Sequence, residues 1–350
     1  MKRFIITTLF TVMATTFGYG QLLDGLETVL LAKEDAQKLL QGYTNPLAKS
    51  FIYGLNTGWA HTAKTHKPLG FDITVSARAS MAPNTDLSFV PGELRYVESP
   101  TSSLPTIFSD SNAVPLDVVI PSNNETPELR ATIEFPGGVG DLLPVSAVPV
   151  PTAQASVGIF LNTDVIVRYI PETTIEGVDV SLQGIGIKHD LTQYLGSLSK
   201  LPFHLSILAA QSKVNSRYNL ETTSLSQNPA ADLRYVDFNV EAQTLQLLGS
   251  LDFPFISVFG AVGVSRGSAD LGMKGVYEFE YLRQNTNPTV GGGDITVTSS
   301  ITNPISLDYS ANSTLATAGI RLNLSILKIY AQYSLQEYSI ATVGVSLGLR

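Results

Sequence analysis

The stretch that decides the fold is residues 316–349, ATAGIRLNLSILKIYAQYSLQEYSIATVGVSLGL. Its period is two. Ala316, Ala318, Ile320, Leu322 and Leu324 alternate with Thr317, Gly319, Arg321, Asn323 and Ser325. Leu327, Ile329, Ala331, Tyr333 and Leu335 then alternate with Lys328, Gln332 and Ser334, and Ala341, Val343, Val345, Leu347 and Leu349 with Thr342, Gly344, Ser346 and Gly348. Strict alternation marks a strand with one apolar face. Three such runs joined by a few residues predict an antiparallel meander.

Working outward, the same pattern recurs at 71–81, where Phe71, Ile73, Val75, Ala77, Ala79 and Met81 alternate with Asp72, Thr74, Ser76, Arg78 and Ser80. It returns at 153–161, at 164–169 with Asp164 and Arg168 opposite Val165, Val167 and Tyr169, and at 178–183 with Val178, Val180 and Leu182 opposite Asp179, Ser181 and Gln183. Further runs fall at 203–209, 256–264 and 271–281. Soluble strands average about 5–6 residues, whereas a tilted membrane strand needs about 9–11. The longer of these runs match the second figure.

Composition agrees. Charged residues are 15% of the 350, against 44% hydrophobic, and the difference is made up by small polar residues. The polar face of each run carries Gly, Ser, Thr and isolated charges rather than a densely charged surface. An all-β transmembrane antiparallel barrel follows, of about twelve strands with ten to fourteen allowed, because lipid demands a sheet without open edges. The competing reading is a secreted sandwich that buries the same faces against a second sheet. Residues 82–128 and 284–312 read as long outer loops.

The N-terminus supplies the address. Met1-Lys2-Arg3, an uncharged run from Phe4 to Phe17, and Gly18-Tyr19-Gly20 form the layout of a secretory signal, residues 1–20, with cleavage expected after Gly20. No later run is long and apolar enough for a membrane helix. A chain exported without a helical anchor but with amphipathic strands is expected in the outer membrane, among membrane lipid and lipopolysaccharide.

Residues 21–70 form a separate helical and basic segment ahead of a barrel at 71–350. The spacing predicts a helix over 22–41, ended by Gly42 and Pro46. Residues 36–71 hold Lys38, Lys49, Lys64, Lys67, His61 and His66 but no acid, in a chain of net charge −8. Two readings stand: a solvated periplasmic stretch, or a plug folded back into an acidic lumen, with Lys38, Lys49, Trp59, Lys64 and Lys67 as its contact residues. Candidate lumen residues of the barrel are Asp72, Arg78, Asp164, Arg168, Asp179, Arg321 and Lys328.

Chemistry is thinly represented. The absence of cysteine removes thiol catalysis and Cys-ligated metals, the acidic balance speaks against a nucleic-acid partner, and no cofactor motif is present. His204-Leu205-Ser206, with Asn215 and Asn219 downstream, has the spacing of a lipid-hydrolase site. It remains a minor alternative, since its polar side chains are expected to face the lumen rather than lipid. His61 and His66 lie among lysines, which opposes a cation. Gly291-Gly292-Gly293 lacks the Lys-Ser/Thr of a phosphate loop.

The run Gly42-Tyr43, Asn45-Pro46, Gly58-Trp59, Thr62-Ala63-Lys64, His66-Lys67 and Leu69-Gly70-Phe71-Asp72 resembles an uncharacterised family of outer-membrane barrels from Bacteroidota, as do Gly184–Asp190 and Leu201-Pro202-Phe203. Thr65 departs from that pattern, where proline is expected. The resemblance implies a barrel and an outer-membrane location, and no activity. More distantly, a helical segment with Asn45-Pro46 ahead of a barrel is similar to FadL-type hydrophobic-substrate channels. The expected role is therefore passive passage of a small or hydrophobic solute. The alternative is a non-transporting barrel, serving as an adhesin or a subunit of an envelope complex. Lumen occupancy separates the two.

Overall fold

A computed structural model of the chain describes residues 33–120, 129–140, 147–175, 177–196, 202–220, 234–284 and 294–349. The expected signal segment, the first part of the expected 22–41 helix and Gly291-Gly292-Gly293 lie outside these residues.

Ten antiparallel strands close into a barrel: β1 (Phe71–Met81), β7 (Ala147–Ile159), β8 (Thr163–Ile175), β9 (Val178–Asp190), β10 (Phe203–Asn219), β11 (Tyr235–Asp252), β12 (Ile256–Lys274), β15 (Ile305–Leu324), β16 (Leu327–Leu335) and β17 (Ser339–Leu349). β1 pairs with β17 from Phe71↔Leu349 to Met81↔Ser339, which closes the ring. Ten strands, not twelve, form the wall. The difference comes from the 271–281 run, which splits after Lys274. Its second half becomes β13 (Val276–Gln284), paired only with β14 (Asp294–Thr302). The expected outer loop 284–312 in turn ends early, because β15 already begins at Ile305. Between β1 and β7 the chain forms small sheets from β2 (Ser88–Phe89), β3 (Val97–Glu98), β4 (Leu104–Pro105), β5 (Val114–Ile120) and β6 (Leu129–Phe135).

The two ends of the barrel differ. At the end holding Phe71 and Leu349, Phe160–Asn162, Phe253–Phe255 and Ser325-Ile326 turn the chain in two or three residues, and the β9–β10 connection, 191–202, is the longest there. The 82–146, 220–234 and 275–304 connections all lie at the other end. This asymmetry is that of outer-membrane barrels.

The polarity of each wall inverts partway along. On β12 the outward positions Ile256, Val258, Gly260, Val262 and Val264 are apolar, and from Arg266 onward they are Arg266, Ser268, Asp270 and Lys274. The same change occurs from Ala209 to Gln211 on β10 and from Leu245 to Gln243 on β11, in register across the sheet. The apolar part of β12 spans about 30 Å of strand, or roughly 22 Å of height at a ~40° tilt, close to the ~25 Å lipid band of known barrels. Phe71, Phe160, Tyr194, Phe253 and Phe255 are exposed at its lower edge, and Tyr169 and Tyr333 near its upper one. Tyr330, Tyr338 and Tyr277, by contrast, are buried.

Inside, the order is reversed. Where the outer wall is polar, the inner wall is apolar (Val180, Leu182, Val214, Phe238, Val240, Leu307, Tyr309), and it packs on α1 (Lys33–Asn56), the one α-helix among the described residues. α1 touches β1, β7, β10, β11, β12 and β15, so it lies within the ring. It runs straight through Gly42 and Pro46, contrary to the expected stop. Proline in a helix interior costs about 3 kcal/mol in isolation. Here Leu39, Tyr43, Leu47, Phe51, Ile52 and Leu55 are all buried around the barrel axis, and that burial outweighs the loss. Gly42 has a steric task instead: a Cβ there would stand 2.2 Å from the Phe89 ring.

Candidate functional site: the filled lumen

α1 enters from the long-loop end. Its Asp35 carboxylate accepts the backbone N–H groups of Arg95, Tyr96 and Val97 at 2.6–3.1 Å, and Lys38 Nζ donates to the Glu93 carbonyl. One turn deeper, Thr44 Oγ1 meets the Tyr309 hydroxyl at 2.5 Å. Lys49 bridges Asp86 at 3.3 Å and Glu337 at 2.7 Å. Tyr53 donates to Glu337, and Tyr338 to Asp86 at 2.6 Å. Burial, with Asp86 beside it, pushes the Tyr338 hydroxyl above its ordinary range and keeps it a neutral donor.

The helix ends near mid-barrel, where its last four carbonyls need donors. The last turn of α1 contains no base, and the barrel wall supplies what is missing. Gln336 Nε2 reaches the Tyr53 carbonyl at 3.4 Å, and Thr57 closes back on Gly54. Arg168 Nη1 donates to Leu55 at 2.6 Å, and Gln246 Nε2 to Asn56 at 3.0 Å. All four carbonyls are satisfied. Arg168 also donates to the Thr57 carbonyl at 2.8 Å and stacks 3.6 Å from the centre of the Trp59 ring. Arg78 donates to Thr57 and Gly58 carbonyls at 3.0 and 3.1 Å. Guanidinium groups at a helix C-terminus also meet the negative end of its dipole. Gly58 at φ +64° makes this possible, since a Cβ there would fall 2.3 Å from Arg78 Nη2.

Below this collar, residues 59–66 occupy the lower lumen. His61 Nδ1 lies 3.0 Å from Arg321 Nη1, so it acts as acceptor and leaves Nε2 facing Asp72 at 3.6 Å. His66 lies between Asp72 at 3.2 Å and Asp164 at 3.1 Å. Asp164 is held by Lys188 at 3.0 Å, and Lys188 donates to the Thr62 and Lys64 carbonyls. Asp252 gathers Arg321 at 2.8 Å, Ser250 at 2.6 Å, Ser257 at 2.7 Å and Thr62 at about 3 Å. Lumen charges are thus mostly paired with one another through the inserted segment.

Six of the seven candidate lumen residues, Asp72, Arg78, Asp164, Arg168, Arg321 and Lys328, point inward and are buried. Asp179 does not. It lies on the outer face, bonded to Thr174 and Asn219, because Val178, Val180 and Leu182 turn inward onto the helix layer. The lumen is not simply acidic either: Arg78, Arg168, Lys188, Arg321 and Lys328 share it with Asp72, Asp164 and Asp252. Of the segment's cations, Lys49 pairs near the long-loop end, Lys64 is half-buried and Lys67 is exposed. Trp59 is buried at the centre. Lys188, Asp252 and Gln246 escaped the sequence reading. The mostly apolar run from Leu47 to Leu55, interrupted only by Lys49 and Ser50, was the available sign of a buried helix.

Ser206 Oγ donates to the Ala63 carbonyl, His204 Nδ1 sits 3.3 Å from Asp190, and Asn215 and Asn219 occupy outward positions of β10. The residues of the minor hydrolase alternative are therefore dispersed over both faces of the sheet. Among the described residues no set of three or more His, Asp or Glu is placed to hold a metal ion.

Solved outer-membrane barrels match at low similarity. The attachment invasion locus protein Ail of Yersinia pestis is 10% identical, covering 81% of this chain and 98% of that one, with a TM-score of 0.24. The translocator domain of the autotransporter NalP from Neisseria meningitidis is 11% identical, covering 90% and 98%, with a TM-score of 0.26. The outer-membrane protease OmpT of Escherichia coli is 10% identical, covering 82% and 100%, with a TM-score of 0.28. No curated protein matches the sequence. One family model does, over residues 1–349, so the chain belongs to DUF6588, a family of unknown function.

Proposed function

We propose that this protein is an outer-membrane barrel closed by its own N-terminal segment, and that it serves as a non-conducting scaffold presenting its long-loop end. One observation carries the reading. Inward side chains of all ten strands, from Asp72 and Thr74 on β1 to Thr342 and Ser346 on β17, are buried where 33–66 fills the lumen. A continuous polar channel past that segment would leave many of them wet. The apolar outer band and the turn–loop asymmetry support membrane insertion with the loops outward.

Passage of a small or hydrophobic solute remains the second reading, and it requires the segment to move. On the β1–β17 wall the Thr74, Thr342 and Ser346 hydroxyls find no protein partner, although Arg78 and Asp72 of β1 hold the segment. The native chain has no cysteine, so Asn56→Cys with Ser265→Cys, replacing a 2.8 Å contact, gives a clean cross-link. In planar bilayers the full chain is expected to show no conductance steps, oxidised or reduced. Steps that vanish on oxidation establish the transport reading instead.

A further inference from the structure

On the outer wall, Ala209 of β10 stands in register between Ile187 of β9 and Leu245 of β11. The Ala209 methyl, with large side chains on either side, lies in the floor of an open depression of about 660 Å³ that extends over β9 to β15. A second hollow of about 420 Å³ adjoins it and shares Gln211 and Gln243. Below the shared edge the lining is apolar, with Ile187, Ala209 and Leu245. Above it come Gln211, Gln243 and Arg266, neighbours in register across three strands. Arg266 Nε donates to Gln243 Oε1 at 3.2 Å, whereas the next cation up, Lys213, pairs with Glu241 at 2.8 Å.

The hollow therefore crosses the level at which the wall changes from apolar to polar. Its occupant must be a hydrocarbon below and a hydrogen-bonding group above. Carboxamides both donate and accept, as sugar hydroxyls do, and a guanidinium matches a phosphate. We propose that this hollow binds a glycolipid with a phosphorylated sugar headgroup, one acyl chain lying over Ala209 and the head against Gln211, Gln243 and Arg266. The inference rests on the membrane reading of the apolar band.

The test uses the full chain in detergent, with lipid A as probe and phosphatidylethanolamine and phosphatidylglycerol as separate arms, read by native mass spectrometry. The wild type is expected to retain one lipid A per chain at dilutions that strip both phospholipids. Ala209→Phe, which sets a ring in the floor of the hollow from outside the core, should weaken retention at least tenfold, and Gln211→Leu with Gln243→Leu at least fivefold. Unchanged Trp59 emission shows that each variant is folded. Equal retention by Ala209→Phe, or phospholipids held as well as lipid A, overturns the proposal. Partition into liposomes is measured alongside. A chain that inserts yet holds no lipid A defeats the glycolipid site alone, and one that stays in water defeats the membrane reading beneath it.

Discussion

Arg168 lays its guanidinium 3.6 Å from the centre of the Trp59 ring while donating to the Leu55 and Thr57 carbonyls. A residue of the wall thus terminates a helix that belongs to the filling. Hydrogen bonds from a charged group contribute about 1.5–3 kcal/mol each, and a desolvated cation–π contact about 2. Arg168→Met should lower stability by about 3–5 kcal/mol, since it also orphans buried carbonyls. Arg168→Lys should recover part of this, because an ammonium lacks the planar fork. Trp59 is the only tryptophan, so urea unfolding followed by its emission reads the effect directly.

Gly58 tests the same collar from the side of the inserted segment. A side chain there meets both a left-handed backbone and Arg78 Nη2. Gly58→Ala is expected to cost about 2–4 kcal/mol. In an Arg78→Ala background the steric share of that cost should disappear, and a double-mutant cycle measures it.

Pro46 leaves the Gly42 carbonyl without its helical donor. If burial alone carries α1 past it, Pro46→Ala should raise stability by about 1–3 kcal/mol. A loss in the same unfolding assay would mean that the barrel requires the proline's local distortion.

The polarity inversion on β12 gives the membrane its coordinates. Val262→Arg places a charge within the apolar band and should cost about 2–4 kcal/mol in lipid vesicles. Ser268→Arg, six residues along the same face, should cost less than about 0.5 kcal/mol. Similar values for both would contradict insertion at this level.

Much of the wall was legible because alternation is a property of local sequence. The 316–349 run gives three strands, their turns and their two faces, and its Arg321 and Lys328 lie on the inward side. The strand count was less accessible, because Gly275, at φ +112°, is the one local mark in 271–281 between the wall strand β12 and the hairpin strand β13 beyond it. Asp179 shows the deeper difficulty. Val178, Val180 and Leu182 alternate as plainly as Ile185 and Ile187, yet the first set faces a helix and the second faces outward.

By itself, the sequence determined that the chain would form long two-faced strands, since period and length are written residue by residue. Only the tertiary structure decided which face turns outward at each level and what fills the centre. Those choices depend on α1, whose Gly42 and Pro46 argue locally for a stop. Packing within the ring offsets that preference, because burial is a property of the assembled molecule and not of the segment.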